Sequence, residues 1–120
     1  MSQTILIIED DEASRMMYNE ILSMENFTVV EAEDGLAALN YLEKNPKPEL
    51  ILMDLTFPNM TSKDFVTNLK QNPETADIPY IFISGQGAIK EQAKDLEALT
   101  YLQKPFDLDD FVNLVRDTLH

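Results

Sequence analysis

The chain has 120 residues, 44% of them hydrophobic, which suits one domain with a single core and leaves no room for a second. It has no cysteine, which excludes disulfides, thiol nucleophiles and cysteine-ligated metals and is compatible with a reducing cytoplasm. Its 22 acidic and 9 basic residues give a formal charge of −13, which repels phosphate backbones and argues against direct nucleic-acid binding.

No uninterrupted apolar run exceeds the four residues of Ile5 to Ile8, far short of the ~20 residues a membrane-spanning helix needs, and no signal-like segment opens the chain. The expectation is a soluble, cytoplasmic protein without a membrane association. Along the chain, short aliphatic or β-branched runs alternate with longer segments whose apolar residues fall three or four apart. Ile5 to Ile8 reads as a strand. Ala13, Met17, Ile21 and Met24 follow at helical spacing, with Asp11 as N-cap. Phe27 to Ala32 reads as the second strand, and Leu36, Leu39 and Leu42 as the face of a helix capped by Asp34. Leu50 to Met53 is the third strand. Phe65, Val66 and Leu69 mark the third helix, with Thr61 and Asp64 as a capping box. Tyr80 to Ile83 is the fourth strand, and Ile89, Ala93 and Leu96 the fourth helix. Tyr101 to Gln103, with Thr100 at its edge, is the fifth strand. Leu108, Phe111, Val112, Val115 and Leu119 close the chain as a helix capped by Asp107. Pro46, Pro48, Pro73 and Pro79 all fall between elements.

Strict alternation of strand and helix implies an α/β fold: a parallel sheet with right-handed crossovers and helices on both faces. Residues 1–120 are expected to form one domain, with no attached output domain. In such a sheet, ligands bind outside the carboxyl ends of the strands, near the point where strand order reverses. Polar residues gather at that edge. Ile8 is followed by Glu9, Asp10 and Asp11, Met53 by Asp54, Ile83 by Ser84, and Gln103 by Lys104. With the first and third strands adjacent, Glu9, Asp10 and Asp54 converge. Their mutual repulsion calls for a cation, and an oxygen-only site with few carboxylates suits Mg²⁺ better than Ca²⁺. Asp54 has no cysteine, histidine or serine triad to activate; the one histidine is His120. A carboxylate can itself form an acyl phosphate, with Lys104 as a positive point charge and Ser84 as a hydroxyl donor to the phosphoryl oxygens. Gly85 leaves the backbone beside Ser84 unobstructed.

Four segments in order, ILIIEDDE, LILMDLTFPNM, IFISGQ and YLQKPF, make the chain resemble the receiver domain of response regulators, the CheY-like fold, over essentially its full length. The resemblance implies a three-layer (βα)5 sandwich with strand order 2-1-3-4-5. It implies that Asp54 is the phosphoacceptor, and that Glu9 and Asp10 hold Mg²⁺ with Asp54 and the backbone carbonyl of Thr56. Lys104 would pair with the phosphoryl group, and its bond to Pro105 would be cis. Ser84 and Tyr101 would form a switch pair, Tyr101 rotating inward from the surface when Ser84 turns to the phosphoryl oxygen. The implied donor is a sensor histidine kinase or histidine phosphotransfer protein. The output would be a shift of the fourth-helix, fifth-strand and fifth-helix surface, read by an effector protein, in a monomer or a weak homodimer through that surface. Such a chain is a signalling switch that catalyses only its own phosphorylation and dephosphorylation. In this family the side chains at Thr56 and Gln86 bear on the dephosphorylation rate.

The chain departs from the family pattern at Asn59, where glycine is frequent, at Thr61 and Ser62, which replace a frequent Asp-Gly pair, and at Glu97 and Ala98, where glycine often stands. Asparagine tolerates φ > 0, so an altered turn with function retained is expected. Rival functions fare worse. A haloacid-dehalogenase-like phosphatase needs a carboxylate two residues after the nucleophile, where Thr56 stands, and a flavodoxin-like FMN site would be repelled by Glu9, Asp10 and Asp11. The remaining rival is a receiver-shaped interaction module that is never phosphorylated, because a fold alone does not establish activity.

Overall fold

A computed structural model describes residues 3–119; His120 lies outside them. The elements are β1 (Thr4–Ile8), α1 (Glu12–Met24), β2 (Thr28–Ala32), α2 (Gly35–Lys44), β3 (Leu50–Asp54), α3 (Ser62–Gln71), β4 (Tyr80–Ser84), α4 (Ile89–Asp95), β5 (Thr100–Gln103) and α5 (Leu108–Leu119). All strand pairs are parallel, and the sheet order is β2-β1-β3-β4-β5, as expected. Among the described residues no helix is long and apolar enough to cross a membrane.

Strand side chains alternate between faces, so each central run feeds two cores. Leu6, Ile8, Ile51, Met53, Tyr80 and Phe82 pack with α2, α3 and α4 through Ala38, Leu42, Phe65, Leu69, Ile89 and Ala93. On the other face Ile5, Ile7, Leu50, Leu52, Ile81 and Ile83 pack with Tyr18 and Leu22 of α1 and Phe111 and Val115 of α5. Burying each of these large side chains is worth about 1.5–3 kcal/mol, which explains why the three central strands read as unbroken apolar runs.

The caps follow the sequence expectation in most places. Asp11 accepts from Ser14 N–H at 3.0 Å, Asp34 from Ala37 N–H at 2.8 Å and Thr61 from Asp64 N–H at 3.0 Å. At Asp107 it is the backbone carbonyl that accepts, from Phe111 N–H at 3.1 Å, opening α5. The buried face of α1 differs from its predicted stripe: Met17 and Met24 are 42% and 76% exposed, while Tyr18 and Leu22 are buried. Two stripes one residue apart both satisfy the helical period. The aromatic one faces inward because Tyr18 packs against Phe106 and Phe111, with ring centroids 6.3 and 5.2 Å away. Leu36 and Leu108 are likewise exposed at the first turns of α2 and α5.

Two of the departures from the family pattern have a backbone cause. Asn59 and Glu97 take φ of 74° and 59°, the left-handed region glycine enters most easily. Glu97 closes α4, its N–H donating to the Lys94 carbonyl at 3.1 Å.

Candidate functional site

Strand parity decides which polar residues meet. Asp54 continues the Leu50, Leu52 series on β3, so it leans toward the α1 and α5 face. Glu9 continues Ile5 and Ile7 past the end of β1, where its N–H still extends the ladder to the Ala32 carbonyl at 3.1 Å. Lys104 follows Leu102, and its N–H donates to the Ser84 carbonyl at 2.9 Å. Ser84 and Tyr101 have the opposite parity, with Phe82, toward α4. One sheet edge therefore carries two groups: Glu9, Asp54 and Lys104 on one side, Ser84 and Tyr101 on the other.

On the first side Glu9, Asp10 and Asp54 each offer a carboxylate oxygen, and these lie within 4.8 Å of one another. Glu9 is 3% exposed, Asp54 half-buried and Asp10 exposed. Lys104 Nζ lies 3.4 Å from Glu9 Oε2 and 3.8 Å from Asp54 Oδ2. Asp54 Oδ1 accepts from Leu55 N–H at 2.7 Å, which turns Oδ2 toward the lysine. The Lys104–Pro105 bond is cis.

Burial pushes the Glu9 carboxyl up to about 7, and the Asp54 charge adds to this, against the opposing pull of Asp11 N–H and of Lys104. Burial works to lower Lys104, but the negative charge available at Tyr18, Glu9 and Asp54 outweighs it and raises the ammonium above its ordinary value. One cation against three carboxylates leaves an excess of negative charge, a donor set that fits a hard divalent ion. Asp11 is not part of this set. Its carboxylate is held by Ser14, through Oγ at 2.6 Å and N–H at 3.0 Å, and those bonds lower its pKa. That is the chemistry of an N-cap.

Because the folded-state value of Glu9 lies above the ordinary 4.5, the metal-free folded domain binds a proton that the unfolded chain has released. The resulting stabilisation is complete below pH 4.5 and is lost as pH rises to about 7. It is on the order of 3 kcal/mol. In chelator, the thermal midpoint should fall between pH 5 and pH 8, on the order of that window, and Glu9→Gln should flatten the fall. Equal pH profiles for the two proteins would refute the buried proton.

Ser84 is buried, and its Oγ accepts from Gln86 N–H at 3.1 Å. Tyr101 is half-buried and lines an open groove of about 480 Å³ with Lys90, Glu91, Ala93, Lys94, Ala98, Leu99 and Thr100. Thr56 is exposed, with its hydroxyl 3.5 Å from the Gln86 side-chain nitrogen. Two contributors were not singled out from the sequence. Arg15 of α1 donates from Nη1 to the Glu9 carbonyl at 2.8 Å and from Nε to Glu31 at 3.0 Å, bracing the end of β1. Tyr18 lies beneath the site, in a small space shared with Glu9 and Asp54. Arginine four residues after Asp11 and an aromatic in a helix facing the sheet edge are weak signals, because neither residue type is unusual there.

Comparison with known proteins bears on the family and the fold. The response regulator receiver domain family matches residues 5–116. The chain is 30% identical over 119 residues to sporulation initiation phosphotransferase F of Bacillus subtilis, covering 99% of this chain and 95% of that protein. It is 34% identical to the phosphate regulon transcriptional regulatory protein PhoB of Escherichia coli, over 97% of this chain but only 51% of PhoB. Among solved structures, a response regulator from Chloroflexus aurantiacus superposes with a TM-score of 0.91 at 27% identity, covering 99% and 98% of the two chains. The Mn²⁺-bound form of response regulator Rcp1 gives 0.78 at 28% identity, covering 96% and 90%. The chain belongs to the response regulator receiver domain family, the CheY-like receivers of two-component signalling.

Proposed function

We propose that this receiver accepts a phosphoryl group on Asp54 from a phosphohistidine of a sensor kinase or histidine phosphotransfer protein, in a cytoplasmic relay. The observation that carries the reading is the convergence of Glu9, Asp10 and Asp54 within 4.8 Å, with Lys104 against two of them. Glu9, Asp10, Asp54 and the Thr56 carbonyl would hold Mg²⁺. That ion, when bound, supplies positive charge to the oxygens of the transferring group. The Mn²⁺ in the Rcp1 structure supports a divalent ion in a fold of this kind.

The residues of the chain divide the remaining work. Asp54 Oδ2 forms the new P–O bond as the donor P–N bond breaks, and the bonding pair returns to the imidazole nitrogen, which regains a proton from solvent. Lys104, already beside Asp54 Oδ2, pairs with the phosphoryl oxygens and limits the build-up of charge. Leu55 N–H holds Asp54 Oδ1, so one carboxylate oxygen is presented in a fixed direction. Ser84, on the other side of the sheet edge, turns to the phosphoryl group, and Tyr101 moves into the space beside it. The α4–β5–α5 surface then shifts for a downstream effector by as much as the active arrangement binds the phosphoryl group better. The chain acts on no separate substrate; it modifies its own residue.

Incubating the protein with Mg²⁺ and a small-molecule phosphodonor should add one phosphoryl mass, read by intact mass spectrometry. Unchanged mass in folded protein would instead support a receiver-shaped interaction module that is not phosphorylated.

A further inference from the structure

Asn59 lies in the loop between β3 and α3 with φ 74°, a conformation that costs a residue with a Cβ about 1–2 kcal/mol, though asparagine less than most. Its side chain has a partner that accounts for the conformation. Nδ2 donates to Asp34 Oδ2 at 2.6 Å, across 25 residues of sequence. Asp34 is 9% exposed, and its other oxygen accepts from Ala37 N–H at 2.8 Å, so one carboxylate caps α2 and holds the loop. The next residue of α2, Gly35, is in contact with the same loop. A Cβ there would stand 2.8 Å from Met60 Cγ and Sδ and from Phe57 Cε1. From Phe57 to Met60 the loop is thus fastened to the start of α2. At its other end Leu55 N–H is tied to Asp54 Oδ1. Thr56 lies between the two fastenings.

We infer that Asn59 and Asp34 are positioning residues for the divalent cation: their hydrogen bond sets the course of the β3–α3 loop, and so the place of the Thr56 carbonyl. Neither touches the ion or the phosphoryl group. This inference rests on the metal reading above and extends it to residues outside the donor set. Supporting groups of this kind typically change metal affinity by about 10–100-fold when removed. By linkage, the start of α2 should in turn respond to cation binding.

Titration calorimetry of the full chain with Mg²⁺ tests it, with melting in chelator as the control for folding. Asn59→Ala removes the hydrogen bond and disfavours the left-handed backbone; it should weaken Mg²⁺ binding about tenfold, at the low end of that range. Asn59→Gly keeps the backbone freedom and loses only the side-chain bond, and should fall between this variant and the parent. Asp34→Asn is the rescue, because an amide at 34 can still cap through its oxygen and donate to a turned-over Asn59 amide; it should bind Mg²⁺ as the parent does. Parent-like affinity in Asn59→Ala, or equal losses in Asn59→Ala and Asp34→Asn, would overturn the inference while leaving the metal site intact. Absence of Mg²⁺ binding by the parent protein would overturn both.

Discussion

Asp54→Asn should reduce phosphorylation by a small-molecule donor to background without unfolding the domain. The two side chains are nearly isosteric, and the amide oxygen can still accept from Leu55 N–H, now at 2.7 Å from Asp54 Oδ1. What is lost is the nucleophilic carboxylate oxygen, since a neutral amide is too weak a nucleophile to displace the donor and form an acyl phosphate. The substitution also takes one negative charge out of a group packed within 4.8 Å. The metal-free variant should therefore melt at or above the parent, and its Mg²⁺ affinity should drop because a ligand charge has gone. Loss of function with stability retained is the pattern of a site built against its own repulsion. Phosphoryl incorporation in folded Asp54→Asn would place the acceptor elsewhere.

The second large effect is expected for Lys104→Ala. This ammonium is the cation nearest the three carboxylates among the described residues, 3.4 Å from Glu9 and 3.8 Å from Asp54. Its half-buried setting gives it more weight than a surface lysine, because charges partly withdrawn from water interact more strongly. Removing a group aimed at charge that grows in the transition state typically costs about 10²–10³ in rate. Phosphorylation should therefore slow by roughly a hundredfold, short of total loss, since Asp54 and the cation ligands remain. The phosphoprotein that does form should fail to shift the amide resonances of α4 and β5, because nothing then pulls the phosphoryl group toward Ser84 and the backbone at Lys104. A parent-like rate and a parent-like resonance shift, or normal effector binding, would remove Lys104 from the mechanism.

Much of the site was legible because a parallel sheet turns spacing into position. A polar residue directly after a buried apolar run has to emerge at the carboxyl edge, and the 2-1-3-4-5 order puts the ends of β1 and β3 side by side. Glu9, Asp10 and Asp54 follow from that alone. Lys104 was read at that edge from its place after Tyr101 to Gln103, whereas the position of β5 beyond β4 is not stated by the strand pattern and came through the family resemblance.

What escaped the sequence depends on side-chain choices between equivalent patterns. Met17 and Met24 match the helical period as well as Tyr18 and Leu22, and only ring packing against Phe106 and Phe111 selects the second stripe. Arg15 reaches the Glu9 carbonyl and the Glu31 carboxylate from α1, contacts made through the fold that its spacing in the sequence does not announce. Asp34 was legible as a cap from its place before α2, yet its second oxygen serves Asn59. That pairing links two loops at the same sheet edge, and no local pattern announces it. The left-handed backbone at Asn59 was foreshadowed by the frequency of glycine there in the family.

Reduction of the phosphodonor-treated protein with borohydride, followed by peptide sequencing, tests the central claim most directly, since an acyl phosphate on aspartate is reduced to homoserine while free carboxylates survive. The expected result is homoserine at position 54 alone, formed only when Mg²⁺ was present during phosphorylation. Reduction at another carboxylate, or none in folded protein that had received Mg²⁺ and donor, would contradict the assignment of Asp54 as the phosphoacceptor.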